Sequence, residues 1–230
     1  MSDQPTPEPQ MGLYQAMSTL RAVRRLRPDP IPDDVLGRVL QAACWAPTGG
    51  NQQPWRVVVV QDPDRKRALA ELYRPEWHRY IDNRGMEKRM AAMTDEARSA
   101  WERTMAAGTH LADHLAEAPV ILMFCADFRR MAVTDAGLDR QSLVGGGSVY
   151  PPVQNAMLAC VAEGLGCTLT TLHCFREPEV KEALDIPEEW ATAAMVPIGY
   201  PVLRGHGPIT RLGPEVMAYQ DTFGTPFGSD

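Results

Sequence analysis

The chain has 230 residues, 44% of them apolar and 7% aromatic, with 23 Lys and Arg against 29 Asp and Glu for a net charge of −6. That length and apolar content suffice for one domain with a sizeable core, and the composition excludes the disordered and fibrous classes. The acidic balance argues against a general nucleic-acid coat while leaving room for a local basic pocket.

Residues 1–12 read as a flexible leader rather than an export signal. Pro5, Pro7 and Pro9 alternate with the acids Asp3 and Glu8, and no positive charge or apolar run is present. Leu13 to Arg24 reads as a short helix ending in the basic cluster Arg21, Arg24, Arg25 and Arg27. Pro28, Pro30 and Pro32 then break the chain. Asp33 and Asp34 open the next helix, with Val35, Leu36, Val39, Leu40 and Ala43 on one apolar face, and it ends at Ala46-Pro47. Thr48 to Pro54 contains only turn formers and polar residues and must be a loop. Trp55 to Gln61, with four consecutive valines, is a buried strand.

Arg65 to Tyr73 is a further helix, and a Met/Trp stripe runs at helical spacing from Met86 to Met105. Pro119 to Ala126 is a second buried strand. It is also the most apolar stretch, and it falls far short of the roughly 20 residues that span a bilayer, so no membrane segment is expected. Gly145-Gly146-Gly147 precedes a helix from about Val149 to Glu163. Gly164-Leu165-Gly166 stops that helix before a third strand, Cys167 to Leu172. Glu177 to Leu184 is a short helix and Ala191 to Ile198 a fourth strand. Strands that come singly between helices give an α+β or α/β class. Residues from about 200 to 230 are Pro/Gly-rich, yet Val216, Met217, Tyr219 and Phe223 are too apolar for a free tail, so this segment is expected to wrap a partner subunit.

Five cysteines, Cys44, Cys125, Cys160, Cys167 and Cys174, form no CxxC pair, and an odd count suits reduced thiols in a cytoplasmic protein. On a helix, Arg21 and Arg24 would project from one face, where two guanidiniums can grip a phosphate. A solvated basic face is the competing reading of the same spacing. The loop Ala46 to Trp55 offers backbone donors, amide side chains and glycines, which suit the edge of a flat heteroaromatic ring; an ordinary connecting loop would look similar.

Other motifs fail. Neither glycine cluster completes a dinucleotide fingerprint, and there is no Walker loop. His110 and His114 are four apart but lack the intervening glutamate and a third ligand, so no metal is expected. No serine sits in a nucleophile elbow.

Arg21-Ala22-Val23-Arg24-Arg25-Leu26-Arg27-Pro28, followed by a capped helix and Ala46-Pro47-Thr48-Gly49-Gly50-Asn51-Gln52-Gln53-Pro54-Trp55, resembles the flavin-dependent nitroreductase family. Gln154-Asn155-Ala156-Met157-Leu158, Gly164-Leu165-Gly166, Pro197-Ile198-Gly199-Tyr200-Pro201 and a late Arg211 follow in the family's order. The resemblance implies one α+β domain over 13–230, a mixed sheet sandwiched by helices, and a C-terminal arm wrapping the other subunit of a homodimer. It implies FMN at the subunit interface, with Arg21, Arg24 and Arg211 on the phosphate. Ala22 lies between them, where members often carry serine. Pro47, Thr48 and Asn51 would come from the opposite subunit, and Thr171 and Leu172 would present backbone N–H groups near flavin N5.

The implied activity is ping-pong hydride transfer from NADPH or NADH to nitroaromatics, quinones or similar acceptors. No side chain is expected to act as acid, base or nucleophile. Reductive dehalogenation, enone reduction and flavin fragmentation on the same scaffold are alternatives, as is a non-catalytic FMN-binding protein. A deazaflavin would suit the same phosphate grip. The departures are Leu20 for an arginine, Ala22 for serine, and Thr171-Leu172 for Glu-Gly.

Overall fold

The computed structural model describes residues 11–82, 90 and 93–228. Met86, within the methionine stripe, and most of the leader lie outside them. The main elements are α1 (Leu13–Thr19), α2 (Asp33–Cys44), β1 (Trp55–Val60), α3 (Pro63–Asp82), α4 (Asp95–His114), β2 (Val120–Ala126), α5 (Tyr150–Ala162), β3 (Gly166–Cys167), α6 (Glu177–Ala183), β4 (Ala191–Gly199) and α7 (Pro214–Met217).

The four strands lie in the order β1-β2-β4-β3. Every pairing is antiparallel, so the described sheet is antiparallel rather than mixed. β2 occupies the centre because all seven of its side chains can be buried, and all seven are. Its side chains alternate between two cores, as the two-residue period of a strand requires. Val120, Leu122 and Phe124 pack with α2 and α5, together with Ala194, Val196 and Ile198 of β4. Ile121, Met123 and Cys125 pack on the other face with α3 and α4. Each fully buried Leu, Ile or Phe contributes about 1.5–3 kcal/mol, and the sheet is covered on both faces.

Two polar contacts fix α2 against α5. Arg38 makes a two-pronged ion pair with Glu163, both bonds 2.8 Å long, and Asn155 donates to the Ala42 carbonyl at 3.1 Å. α3 extends past Tyr73 through Pro75 to Asp82. Packing overrides the proline there, because Tyr73 and Trp77, on either side of it, are both buried. Gly108 lies flat against the Trp77 indole, leaving no room for a side chain, and the indole N–H donates to Thr109 at 3.0 Å.

The principal departure from the sequence reading concerns the arginine cluster. Helix α1 stops at Thr19, and Leu20 is already extended, with φ −62° and ψ 110°. Residues 21–27 run as an extended segment along the sheet margin. Val23 N donates to Cys167 O at 2.8 Å, Arg27 N to Tyr200 O at 2.7 Å, and Val202 N to Arg25 O at 3.0 Å. The side chain of Val23 is buried, and Gly166 makes this possible, since a Cβ there would meet Val23 Cγ1 at 2.6 Å. Arg21 and Arg24 therefore do not share a helix face. The third strand is likewise shorter than expected: Thr170 makes an isolated bridge to Met195, and Leu172–Arg176 is a 3-10 turn.

Beyond β4 the chain is mostly exposed. Residues 218–227 close a small hairpin on themselves, with Tyr219 and Phe223 rings 4.5 Å apart. Phe223 is nonetheless 92% exposed, and Leu212, Val216 and Met217 are exposed as well.

Candidate functional site

A cleft of about 320 Å³ opens where α1 ends. It is lined by Met17, Leu20, Arg21 and Ala22, by Gln154 and Met157 of α5, and by Ile209 and Arg211 from the segment after β4. Gln154 and Met157 are three apart on α5 and so share one face. The lining sets cationic side chains against apolar ones.

Arg21 is held from the C-terminal side. Its Nε donates to Gly205 O at 2.9 Å, its backbone N donates to His206 Nδ1 at 3.4 Å, and Gly207 N binds Thr19 O at 3.0 Å. Arg211 donates to its neighbour's carbonyl, Thr210 O, at 2.8 Å. Among the described residues neither guanidinium has a carboxylate partner. Two arginines 190 positions apart thus meet at one cleft with charge to spare, a donor set suited to a phosphate dianion. Ala22 lines the same cleft but offers no hydroxyl.

Arg24 does not line the cleft. It is half-buried, and burial lowers its pKa while the nearby Tyr73 phenol opposes that shift. Tyr73 OH and Thr170 Oγ1 are 3.2 Å apart, and Leu172 N donates weakly to the same Thr170 oxygen at 3.4 Å. Burial raises the Tyr73 phenol. Arg24, Tyr73, Thr170 and Leu172 N–H form a second polar group, with Thr171 exposed beside it.

Pro47, Thr48 and Asn51 form the third group. The loop is unusually bent: Gly50, Asn51 and Gln53 all have positive φ, at 57°, 53° and 48°. Such a conformation is costly for a residue like glutamine and needs support. Thr48 Oγ1 accepts from Gln53 N at 3.0 Å. Ser148 Oγ accepts from Gly49 N at 3.0 Å, and Arg130 donates to Gln52 O at 2.8 Å. None of the three predicted residues lines the cleft. The supports, Ser148 and Arg130, carry no local sequence signal.

The segment that supplies them is organised by Asp135, a nearly buried carboxylate. It accepts from Ser142 Oγ at 2.7 Å, from Leu143 N and Arg140 at 2.8 Å each, and from Val144 N at 3.4 Å. The Ser142 and Leu143 hydrogen bonds hold its pKa down at about 2. His110 and His114 stack with ring centroids 4.3 Å apart, and His114 pairs with Glu117. Among the described residues no cluster of three His, Cys, Asp or Glu could hold a metal ion, and no helix is long and apolar enough to cross a membrane.

The model of the Nitroreductase family matches residues 18–200. An NADH dehydrogenase of Thermus thermophilus is 29% identical over 81% of this chain and 85% of its own length. A 5,6-dimethylbenzimidazole synthase of Rhodospirillum rubrum is 32% identical over 87% of this chain and 86% of its own. Among solved structures, an iodotyrosine deiodinase bound to FMN and 3-iodo-L-tyrosine superposes with a TM-score of 0.68 at 24% identity, covering 92% of this chain and all of that one.

Proposed function

The chain belongs to the nitroreductase family, and on that footing we propose that it is an FMN-dependent oxidoreductase. It takes hydride from NADPH or NADH and passes it to nitroaromatics, quinones or similar electron-poor small molecules. The observation that carries this reading is the meeting of Arg21 and Arg211, without carboxylate partners among the described residues, in a cleft whose other walls are largely apolar.

FMN, when bound, supplies the two-electron hydride chemistry. The chain's own residues bind and orient. Arg21 and Arg211 donate charge-assisted hydrogen bonds to the phosphate, and the tail residues Gly205 and His206 hold Arg21 in place for that task. Arg24 stands beside Tyr73, whose hydroxyl meets Thr170 at the start of the Thr171–Leu172 turn, and its charge would favour negative charge on a ring held there. The Thr171 N–H, and the Leu172 N–H on leaving its weak 3.4 Å bond to Thr170 Oγ1, would orient the ring edge. A second copy of this chain completes the site, as Pro47, Thr48 and Asn51 of the partner subunit reach the ring through the bent loop. The exposed apolar side chains near the C-terminus cover that partner.

A second reading keeps the cofactor and changes the reaction. The 32% identity to a 5,6-dimethylbenzimidazole synthase favours flavin fragmentation among the alternatives, and analysis of products under turnover separates the two.

Phosphate binding is tested with Arg21→Ala and Arg211→Ala. Loss of a hydrogen bond to a charged group costs about 1.5–3 kcal/mol, so each variant should bind FMN about 10- to 100-fold more weakly, read from quenching of FMN fluorescence. Unchanged affinity in both would overturn the assignment.

A further inference from the structure

Tyr73 is a buried phenol to which hydride transfer assigns no part. It lies on α3, packed with Leu69, Trp77 and Leu115 in the core on that face of the sheet. Its hydroxyl meets a polar group at Thr170, where the two side-chain oxygens are 3.2 Å apart. Thr170 Oγ1 also accepts from Leu172 N at 3.4 Å. Thr170 is itself pinned by its backbone: its N–H donates to Met195 O at 2.9 Å, and Met195 N donates to Thr170 O at 3.0 Å. Both contacts at the hydroxyl are long for their types, which favour about 2.7–2.8 Å between two hydroxyls and about 2.9–3.0 Å from an N–H to an oxygen. One acceptor oxygen shared between two donors produces that pattern.

We propose that Tyr73 and Thr170 are positioning residues that set how freely the Leu172 N–H can turn to a ligand: Thr170 Oγ1 holds that N–H, and the Tyr73 hydroxyl, donating to the same oxygen, keeps the hold weak enough to exchange. The direction of the Tyr73 bond agrees with its surroundings. Burial raises the phenol, so its proton stays in place, and the Arg24 charge acts against that rise. A cation on that side draws the phenol's lone pairs toward itself and leaves the O–H for Thr170.

The consequence for the flavin rests on the function proposed for this chain, in which the Thr171–Leu172 turn faces the ring edge. A loosely held N–H turns to the ring at little cost, and its bond there strengthens as negative charge builds on reduction. Tyr73 thus biases the site toward the reduced cofactor by acting through Thr170. The two hydroxyls should then act with opposite sign, which a purely structural role would not produce. Tyr73→Phe keeps the ring and frees a lone pair on Thr170 Oγ1, so the Leu172 N–H is held more tightly. Thr170→Val keeps the shape and the backbone bridge to Met195 and releases that N–H altogether.

The test has two arms. In the flavin-free full chain, hydrogen exchange at the Leu172 amide should be slower than wild type in Tyr73→Phe and faster in Thr170→Val, by about three- to tenfold each for a bond of this kind. The β2 amides should be unchanged, which checks the fold. In the FMN-loaded protein, the affinity for reduced relative to oxidised FMN should fall in Tyr73→Phe and rise in Thr170→Val by similar factors. That moves the two-electron midpoint potential by about 14–30 mV, downward in the first and upward in the second. Equal exchange in all three proteins, or both variants moving in one direction, would overturn the proposal. Bound FMN whose potential ignores both variants would overturn the link from Leu172 to the ring. Exchange that splits as expected in a chain that binds no FMN would uphold the hydroxyl pair and overturn the flavin reading alone.

Discussion

The amide of Val23 donates to the carbonyl of Cys167 at 2.8 Å. That one bond ties the arginine segment to the margin of the sheet, sends Arg21 into the cleft and leaves Arg24 half-buried beside Tyr73. It depends on close approach at Gly166, which carries no side chain to hold Val23 and Leu26 away.

Gly166→Ala tests this dependence. The added methyl would meet Val23 Cγ1 at 2.6 Å and Leu26 Cδ2 at 2.9 Å, and overpacking of this kind costs about 1–3 kcal/mol. The variant should melt several degrees lower and also bind FMN more weakly, because the segment bearing Arg21 must shift. Calorimetry and fluorescence titration read the two effects separately. A stable variant with full affinity would contradict the coupling.

The segment Leu13–Arg24 shows why local reasoning fails where it does. Arginine and leucine are good helix formers, and nothing nearby reveals that a carbonyl 144 positions later will take the Val23 amide. The buried strands were legible because their signal is internal. Trp55–Val60, with its four consecutive valines, and Val120–Ala126, apolar throughout, lie within a residue of their expected ends. The third strand is shorter than its threonines suggest: Thr170 pairs only in an isolated bridge to Met195, and the chain turns at Leu172. Of the candidate site, Arg21, Ala22 and Arg211 do share a cleft. The roles of Ser148, Arg130, His206 and Tyr73 come from tertiary contacts that no short motif encodes.

Asp135 gives a pH dependence of fixed sign. Its folded pKa, about 2, lies below the ordinary value near 4, so its contribution is present above about pH 4 and is lost as the pH falls toward 2. Hydrogen exchange at Leu143 and Val144, whose amides it accepts, should accelerate across that window relative to the β2 amides. Asp135→Asn should show the faster exchange already at pH 7. Unchanged protection in the variant would show that the loop is held by other contacts.

Thr48 supports the bent loop through Gln53 N. Thr48→Val removes the acceptor and keeps the shape, which should cost about 1 kcal/mol and lower both FMN affinity and kcat/KM. Thr48→Ser should restore turnover. A valine variant with full turnover would assign the loop no part in the site.

Removing residues 212–230 deletes Leu212, Val216, Met217 and Phe223, all exposed here, and spares Arg211. On the dimer reading, the truncated chain should dissociate at concentrations where the full chain remains paired in sedimentation velocity. Equal association of both would move the interface elsewhere.

Whether a bound flavin accepts hydride from a nicotinamide is read most directly from the visible spectrum under anaerobic addition of NADPH and then of NADH. The protein should be yellow, one or both reductants should bleach it, and a quinone or nitroaromatic should restore the colour. A yellow protein that neither reductant bleaches would contradict the reductase reading, and a colourless one that FMN does not reconstitute would contradict the cofactor itself.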